Sequence, residues 1–318
     1  MKSIPFTIFS IIIIIFFANC NNDDDGDSQV ERENLNEWTQ QANIPSTELR
    51  FRANIITYNN EAYLLPGKGG DRFSSRPEIL KFSNNEWTNV VTYDGFAGAG
   101  GSRAIRNNDD IYILGGVNRS NAPTDEVRAF SITNNTFSEE TRFPSAISTA
   151  FTDTKAYFGN IEEFYSYDFT TNTTESLPLT PAGLSISSAI TTTENNRIYA
   201  LFILLETDNF FAFDENLGEW IQLSDFPGGN RSGASIVSTT TDVYAGLGFS
   251  NSGSLFDILK YDIETNEWME FTEYPGTHFL SGFAFEINNE LFFGGGFTGG
   301  GIISNDVLNE EVYSIKVE

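Results

Sequence analysis

Arg50, Lys68, Arg72, Arg103, Arg119, Arg231 and His278 are the residues whose types and placement could do chemistry together. The chain carries 44 Asp and Glu against 18 Lys and Arg, a net charge of −26 at pH 7, so cations are scarce. Half of them gather at one set of long loops. Arg50, Lys68, Arg72, Arg76, Arg119, Arg142 and Arg231 fall within these loops, and Arg52 and Arg103 lie just inside adjoining strands. His278, the sole histidine, sits beside them in PGTHF. Positive charge concentrated on one rim of an acidic protein focuses anions there, so the expected chemistry is the binding of an anionic group. The alternative is structural: these side chains pair with Glu48, Asp71, Glu78, Asp94 and Asp225, or bridge neighbouring units of the fold.

One histidine and one cysteine limit catalysis. A Ser-His-Asp arrangement would have to use His278, and PGTHFLSG holds no nucleophile elbow. Zinc held by imidazole or thiolate lacks ligands. Calcium needs only oxygens, but the acidic stretch NNDD (107–110) fits a hairpin turn better. No cofactor and no metal are expected, and no catalytic residue is assigned. The negative charge argues against nucleic acid, whose phosphates need a basic surface.

The first residues address location. Met1 and Lys2 precede an apolar run over 4–18, broken only by Thr7 and Ser10. That is short of the roughly 20 residues a membrane helix needs and matches a secretory leader. Phe17-Ala18-Asn19-Cys20 resembles a bacterial lipobox, with Asn19 where Gly, Ala or Ser is usual. The resemblance implies a signal peptide over 1–19, lipidation of Cys20 and attachment to the outer membrane by acyl chains alone. The other reading is a free thiol in a plain secretory signal. Residues 20–36, rich in Asn and Asp, read as a flexible acidic tether, like the export tether of surface lipoproteins in some Gram-negative bacteria.

From Glu37 onward the sequence repeats. A turn rich in Asn or acids precedes an aromatic residue or its substitute at Trp38, Trp87, Phe137, Thr174, Trp220 and Trp268, at spacings of 49, 50, 37, 46 and 48. Between these marks lie apolar runs closing on glycine: AYLLPG (62–67), IYILGG (111–116), AYFGN (156–160), VYAGLG (243–248) and LFFGGG (291–296); IYALF (198–202) keeps the place without glycine. A third segment precedes each mark: EILKFS, EVRAFSIT, EFYSYDFT, NFFAFDEN, DILKYDIE and the final EVYSIKVE. All are short, aromatic and β-branched, and no helical period appears, so an all-β fold is expected.

An apolar strand, a tyrosine, glycines and a tryptophan about 24 residues later resemble the kelch repeat over 37–318. The resemblance implies four-stranded blades in a ring. Residues 37–318 number 282, or six units of 47. The last run lacks its tryptophan strand and NEWTQQANIP is a spare one at the start, so the N-terminal segment is expected to close the ring, leaving fewer exposed edges. With strands named a to d from the axis outward, the a–b turns (YNNE, NNDD, TENN, TTTD, INNE) and c–d turns (SNNE, TNNT, DENL) share one face. The irregular loops over 66–77, 91–100, 115–124, 247–255 and 294–306 share the other, where a rigid ring binds.

Among kelch propellers, galactose oxidase uses copper held by tyrosines and histidines with a crosslinked cysteine, and this chain lacks those ligands. Some six-bladed members are sugar mutarotases or epimerases acting on sialic acid, which need only a positioned acid or base and a cation. The expectation is a monomeric six-bladed propeller whose long-loop face binds a carbohydrate or protein, possibly anionic, without catalysis. A mutarotase acting on an acidic sugar is the alternative.

Overall fold

A computed structural model of the protein describes residues 37–69, 75–92, 101–116, 126–140, 143, 148–159, 163–179, 189–192, 197–202, 209–277, 280–298 and 307–317. All regular structure among them is β, in six antiparallel four-stranded sheets and three two-stranded ribbons. Blade 1 comprises, from a to d, Ile55–Tyr58, Glu61–Leu64, Glu78–Ser83 and Glu86–Thr92. Blade 2 comprises Arg103–Asn107, Asp110–Leu114, Val127–Ser131 and Thr136–Glu139. Blade 3 follows with Ser148–Phe151, Lys155–Gly159, Phe164–Asp168 and Thr173–Leu177. Blade 4 has Ala189–Thr192, Ile198–Leu201, Phe210–Asp214 and Glu219–Gln222. Blade 5 has Ser235–Ser238, Asp242–Gly246, Asp257–Asp262 and Glu267–Glu273.

Blade 6 is assembled from both ends of the fold. Phe283–Ile287, Glu290–Gly294 and Val312–Lys316 are its strands a to c, and Trp38–Gln40 is its strand d, with Trp38 opposite Ile315. Each strand a contacts the strand a of the next blade, and those of blades 6 and 1 touch, so the ring is a closed six-bladed β-propeller.

The hydrophobic pattern explains this stacking. In a strand, alternate side chains point to opposite faces. In strand b of blade 2, Ile111 and Ile113 therefore pack towards blade 1 with Tyr63 and Ile79, while Tyr112 and Leu114 pack towards blade 3 with Ala156 and Phe158. Strands buried on both faces read as unbroken apolar runs, and one buried layer fills each seam between blades.

Asparagine sets the turns on one face. Asn59 and Asn60, Asn84 and Asn85, and Asn288 and Asn289 all have φ between 50° and 61°, the paired left-handed geometry of a tight hairpin. The apolar runs end in glycine for a related reason. Gly115 and Gly116 have φ of 59° and 99°, and Gly295 and Gly296 have 67° and 76°, a bend costly for most other residues.

On the opposite face the loops are more regular than expected at their base. Gly67–Lys68 pairs with Ser75–Arg76, Phe249–Ser250 with Gly253–Ser254, and Phe297–Thr298 with Val307–Leu308. Pairing satisfies backbone groups that an irregular loop would leave open.

The repeated tryptophan holds neighbouring blades together. Trp87 Nε1 donates to Ala42 O at 3.0 Å, Trp220 to Pro178 O at 3.1 Å, Trp268 to Ser224 O at 2.9 Å and Trp38 to Thr272 Oγ1 at 3.2 Å. Each acceptor lies four positions after the aromatic mark of the preceding blade. In blades 1 and 5 the asparagine two residues before the tryptophan completes the latch: Asn85 Oδ1 accepts Ala42 N–H at 2.6 Å and Asn266 Oδ1 accepts Ser224 N–H at 3.0 Å. In blades 1 and 5 the Asn-Glu-Trp motif is thus a two-point clasp to the preceding blade.

Candidate functional site

The candidate site is where the chain leads into strand a on the long-loop face. In four blades this lead-in bends through one left-handed residue at an equivalent place: Arg52 (φ 52°), Gly101 (70°), Gly233 (68°) and Ser281 (52°). Three of them form a chain of backbone bonds around the axis. Arg52 N–H donates to Ser281 O at 3.3 Å, and Gly101 N–H donates to Arg52 O at 2.9 Å. In blades 1, 5 and 6 the lead-in also bridges to its ribbon, through Phe51–Lys68, Ser232–Phe249 and Leu280–Phe297.

Arg50 and Arg231 occupy equivalent positions two residues before this bend, and both point inward. The Arg50 side chain is 0% exposed. Its Nη1 donates to Glu78 O at 2.5 Å and Leu65 O at 3.3 Å, and its Nη2 lies 3.3 Å from Glu48 Oε2 and 3.4 Å from Glu78 Oε2. Burial pushes its pKa down to about 10, opposed by Glu78 and Glu48. Burial, followed by the neighbouring Glu78 charge, raises the pKa of Glu48. Arg231 forks onto Asp257, with Nη1–Oδ1 at 3.1 Å and Nη2–Oδ2 at 2.9 Å; it also donates to Leu247 O and Gly228 O, and stacks 5.0 Å from the Phe226 ring. Both guanidinium groups tie the lead-in to the start of strand c, and neither faces solvent. Arg50 has the partners of the structural alternative, whereas Arg231 takes Asp257 and not Asp225.

Arg52 and Arg103 are placed differently. Arg52 lies three residues before strand a, not within it, and is exposed. Among the described residues it forms no ion pair, and its guanidinium lies 5.9 Å from the Phe51 ring. Arg103 is the first residue of strand a in blade 2, partly buried, with Nη1 3.5 Å from Gly101 O. Burial and then the Arg52 charge lower its pKa. The like charges of two arginines from adjacent blades are therefore felt at one point of the rim.

Lys68 is buried at 3% exposure, its backbone paired with Phe51. Arg76 Nε donates to Leu49 O at 3.4 Å. Arg72, Arg119, Arg142, His278 and Cys20 lie outside the described residues. Among the described residues no cluster of three or more His, Cys, Asp or Glu side chains could hold a metal ion.

The sequence reading named Glu78 as a partner but missed that an acid recurs at the start of strand c. Glu78, Glu126, Glu163, Asp257 and Glu311 stand at equivalent places, with Asn209 in blade 4. Glu78 and Asp257 receive the inward arginines, and Glu311 Oε2 accepts Thr277 N–H at 2.6 Å. The signal was the leading acid of the repeated segments. No protein-family model matches the chain, and no curated protein matches it.

Proposed function

We propose that the protein is a kelch-type, lipid-anchored propeller of the cell envelope that binds an anionic carbohydrate on its long-loop face without catalysis. The observation that supports this reading is the Arg52–Arg103 pair, in which an exposed arginine with a left-handed backbone sits beside a second arginine of the next blade. A carboxylate or sulfate on a sugar is the matching group, because guanidinium offers fixed, two-pronged donors to a planar or tetrahedral oxyanion. The double glycine after strand b, the strand-b tyrosine and the latch tryptophan support the kelch assignment. The order of apolar run, Cys20 and acidic stretch supports the anchor.

The test is a glycan array on purified Cys20→Ala protein, followed by titration of the best acidic hit. Arg52→Ala and Arg103→Ala should each weaken binding about tenfold. Lys155→Ala and Arg197→Ala, which break ion pairs to Glu215 and Asp214 at the turn face, should leave it unchanged. Binding only to neutral sugars would reject the reading. For the anchor, wild-type protein should partition with membranes and the Cys20→Ala protein should not.

A further inference from the structure

The indole latch spans four seams of the ring, but the seam between blades 1 and 2 lacks it, because Phe137 stands at the tryptophan's place. Phe137 packs on Phe130, with ring centroids 5.3 Å apart, and has no indole N–H to reach back to blade 1. Near the turn end of this seam lies a cleft of about 390 Å³ lined by the polar residues Glu61, Tyr63, Lys81, Thr88, Asn89 and Asn135 and by the aliphatic side chains of Val90 and Ile132.

The lining has a definite chemistry. The Glu61 carboxylate is fixed on both sides, accepting from Tyr63 OH at 2.7 Å and from Lys81 Nζ at 2.9 Å. This pair carries no net charge but leaves two ammonium N–H groups and carboxylate lone pairs to use. The side chains of Asn89 and Asn135 are exposed, and among the described residues neither carboxamide bonds to another protein group. Asn135 has the left-handed φ of 54° shared by Asn85 and Asn266. Those two give their Oδ1 to the preceding blade, a bond that Asn135 does not make.

We propose that this cleft binds a neutral, hydroxyl-rich small molecule of monosaccharide type. Carboxamides that both donate and accept, next to a charge-balanced Glu–Lys pair, complement adjacent hydroxyl groups, each of which is itself a donor and an acceptor. An apolar ligand would strip water from these groups without replacing its bonds. The site lies at the turn end of the blades, away from Arg52 and Arg103, and does not rest on the anion reading.

The experiment uses full-length protein labelled with nitrogen-15, titrated with glucose, galactose and N-acetylglucosamine while the Asn89 and Asn135 side-chain amides are followed by NMR. Saturable shifts at these amides with at least one of the three sugars are expected. Asn135→Gly, which keeps the backbone conformation and removes the carboxamide, should weaken binding about fivefold to tenfold. Phe137→Trp should restore the latch, fill the cleft, abolish the shifts and raise the melting temperature. The proposal is overturned if none of the three sugars gives saturable shifts at these amides, or if Asn135→Gly binds as wild type. Undiminished binding by a folded Phe137→Trp protein also overturns it; if that variant does not fold, Asn135→Gly decides alone.

Discussion

The lead-ins to blades 1 and 5 share one framework and part at the bend. Each sends an arginine inward to the acid that opens strand c, Arg50 to Glu78 and Arg231 to Asp257. Each then bridges to its ribbon and bends through a left-handed residue. In both blades the register of strands c and d shifts just after that acid. At the bend, blade 5 has Gly233 and blade 1 has Arg52. Glycine takes this conformation without penalty, whereas an L side chain there costs about 1 kcal/mol or more. Blade 1 therefore carries a residue that its backbone disfavours, exposed and beside a like charge. Among the described residues the Arg52 side chain forms no ion pair that would account for it, and it is the residue we propose for the ligand. The difference separates two arginines whose ion pairs hold the fold from one that is exposed and forms none among the described residues.

The largest effect should come from the inward arginines. Arg50→Ala strands Glu48 and Glu78, whose side chains are only 19% and 17% exposed, and should cost about 3–5 kcal/mol in denaturant unfolding. Arg231→Ala should cost less, about 2–3 kcal/mol, because the Asp257 side chain is 41% exposed and can rehydrate. If Arg231→Ala cost as much as Arg50→Ala, solvent access would not be what sets the two apart. Next come the latches, which the two blades share: Trp87→Phe and Trp268→Phe should each lose about 1 kcal/mol. A clear inequality would mean that blades 1 and 5 are not equivalent frames. The smallest effect is the most informative about Arg52. Arg52→Gly should leave stability unchanged or raise it by up to about 1 kcal/mol, and a loss of 2 kcal/mol or so would assign Arg52 to the fold.

Much of this architecture could be read from sequence because it is written in backbone requirements. Paired asparagines mark left-handed turns, double glycines mark the bend after strand b, and the spare Asn-Glu-Trp before the first full blade marks the strand that closes blade 6. Blade 3, with Thr174 at the tryptophan's place, and blade 4, with no glycine after strand b, still form complete sheets because their strands b and c keep the two-sided apolar pattern. The site was less legible. A loop arginine reads the same whether it points inward or outward, and only the acid receiving it distinguishes Arg50 and Arg231 from Arg52. Those acids open the repeated strand-c segments, but their role depends on a contact between parts of the chain 26 to 28 residues apart. The left-handed backbone of Arg52 has no sequence signature, since glycine, serine and arginine share the position.

The most direct test is the affinity of Arg52→Gly protein for an acidic glycan, measured beside its unfolding free energy. A loss of about tenfold in affinity with undiminished stability is the predicted result. Wild-type affinity in a folded Arg52→Gly protein would contradict the account, because the arginine that the backbone disfavours would then serve no ligand.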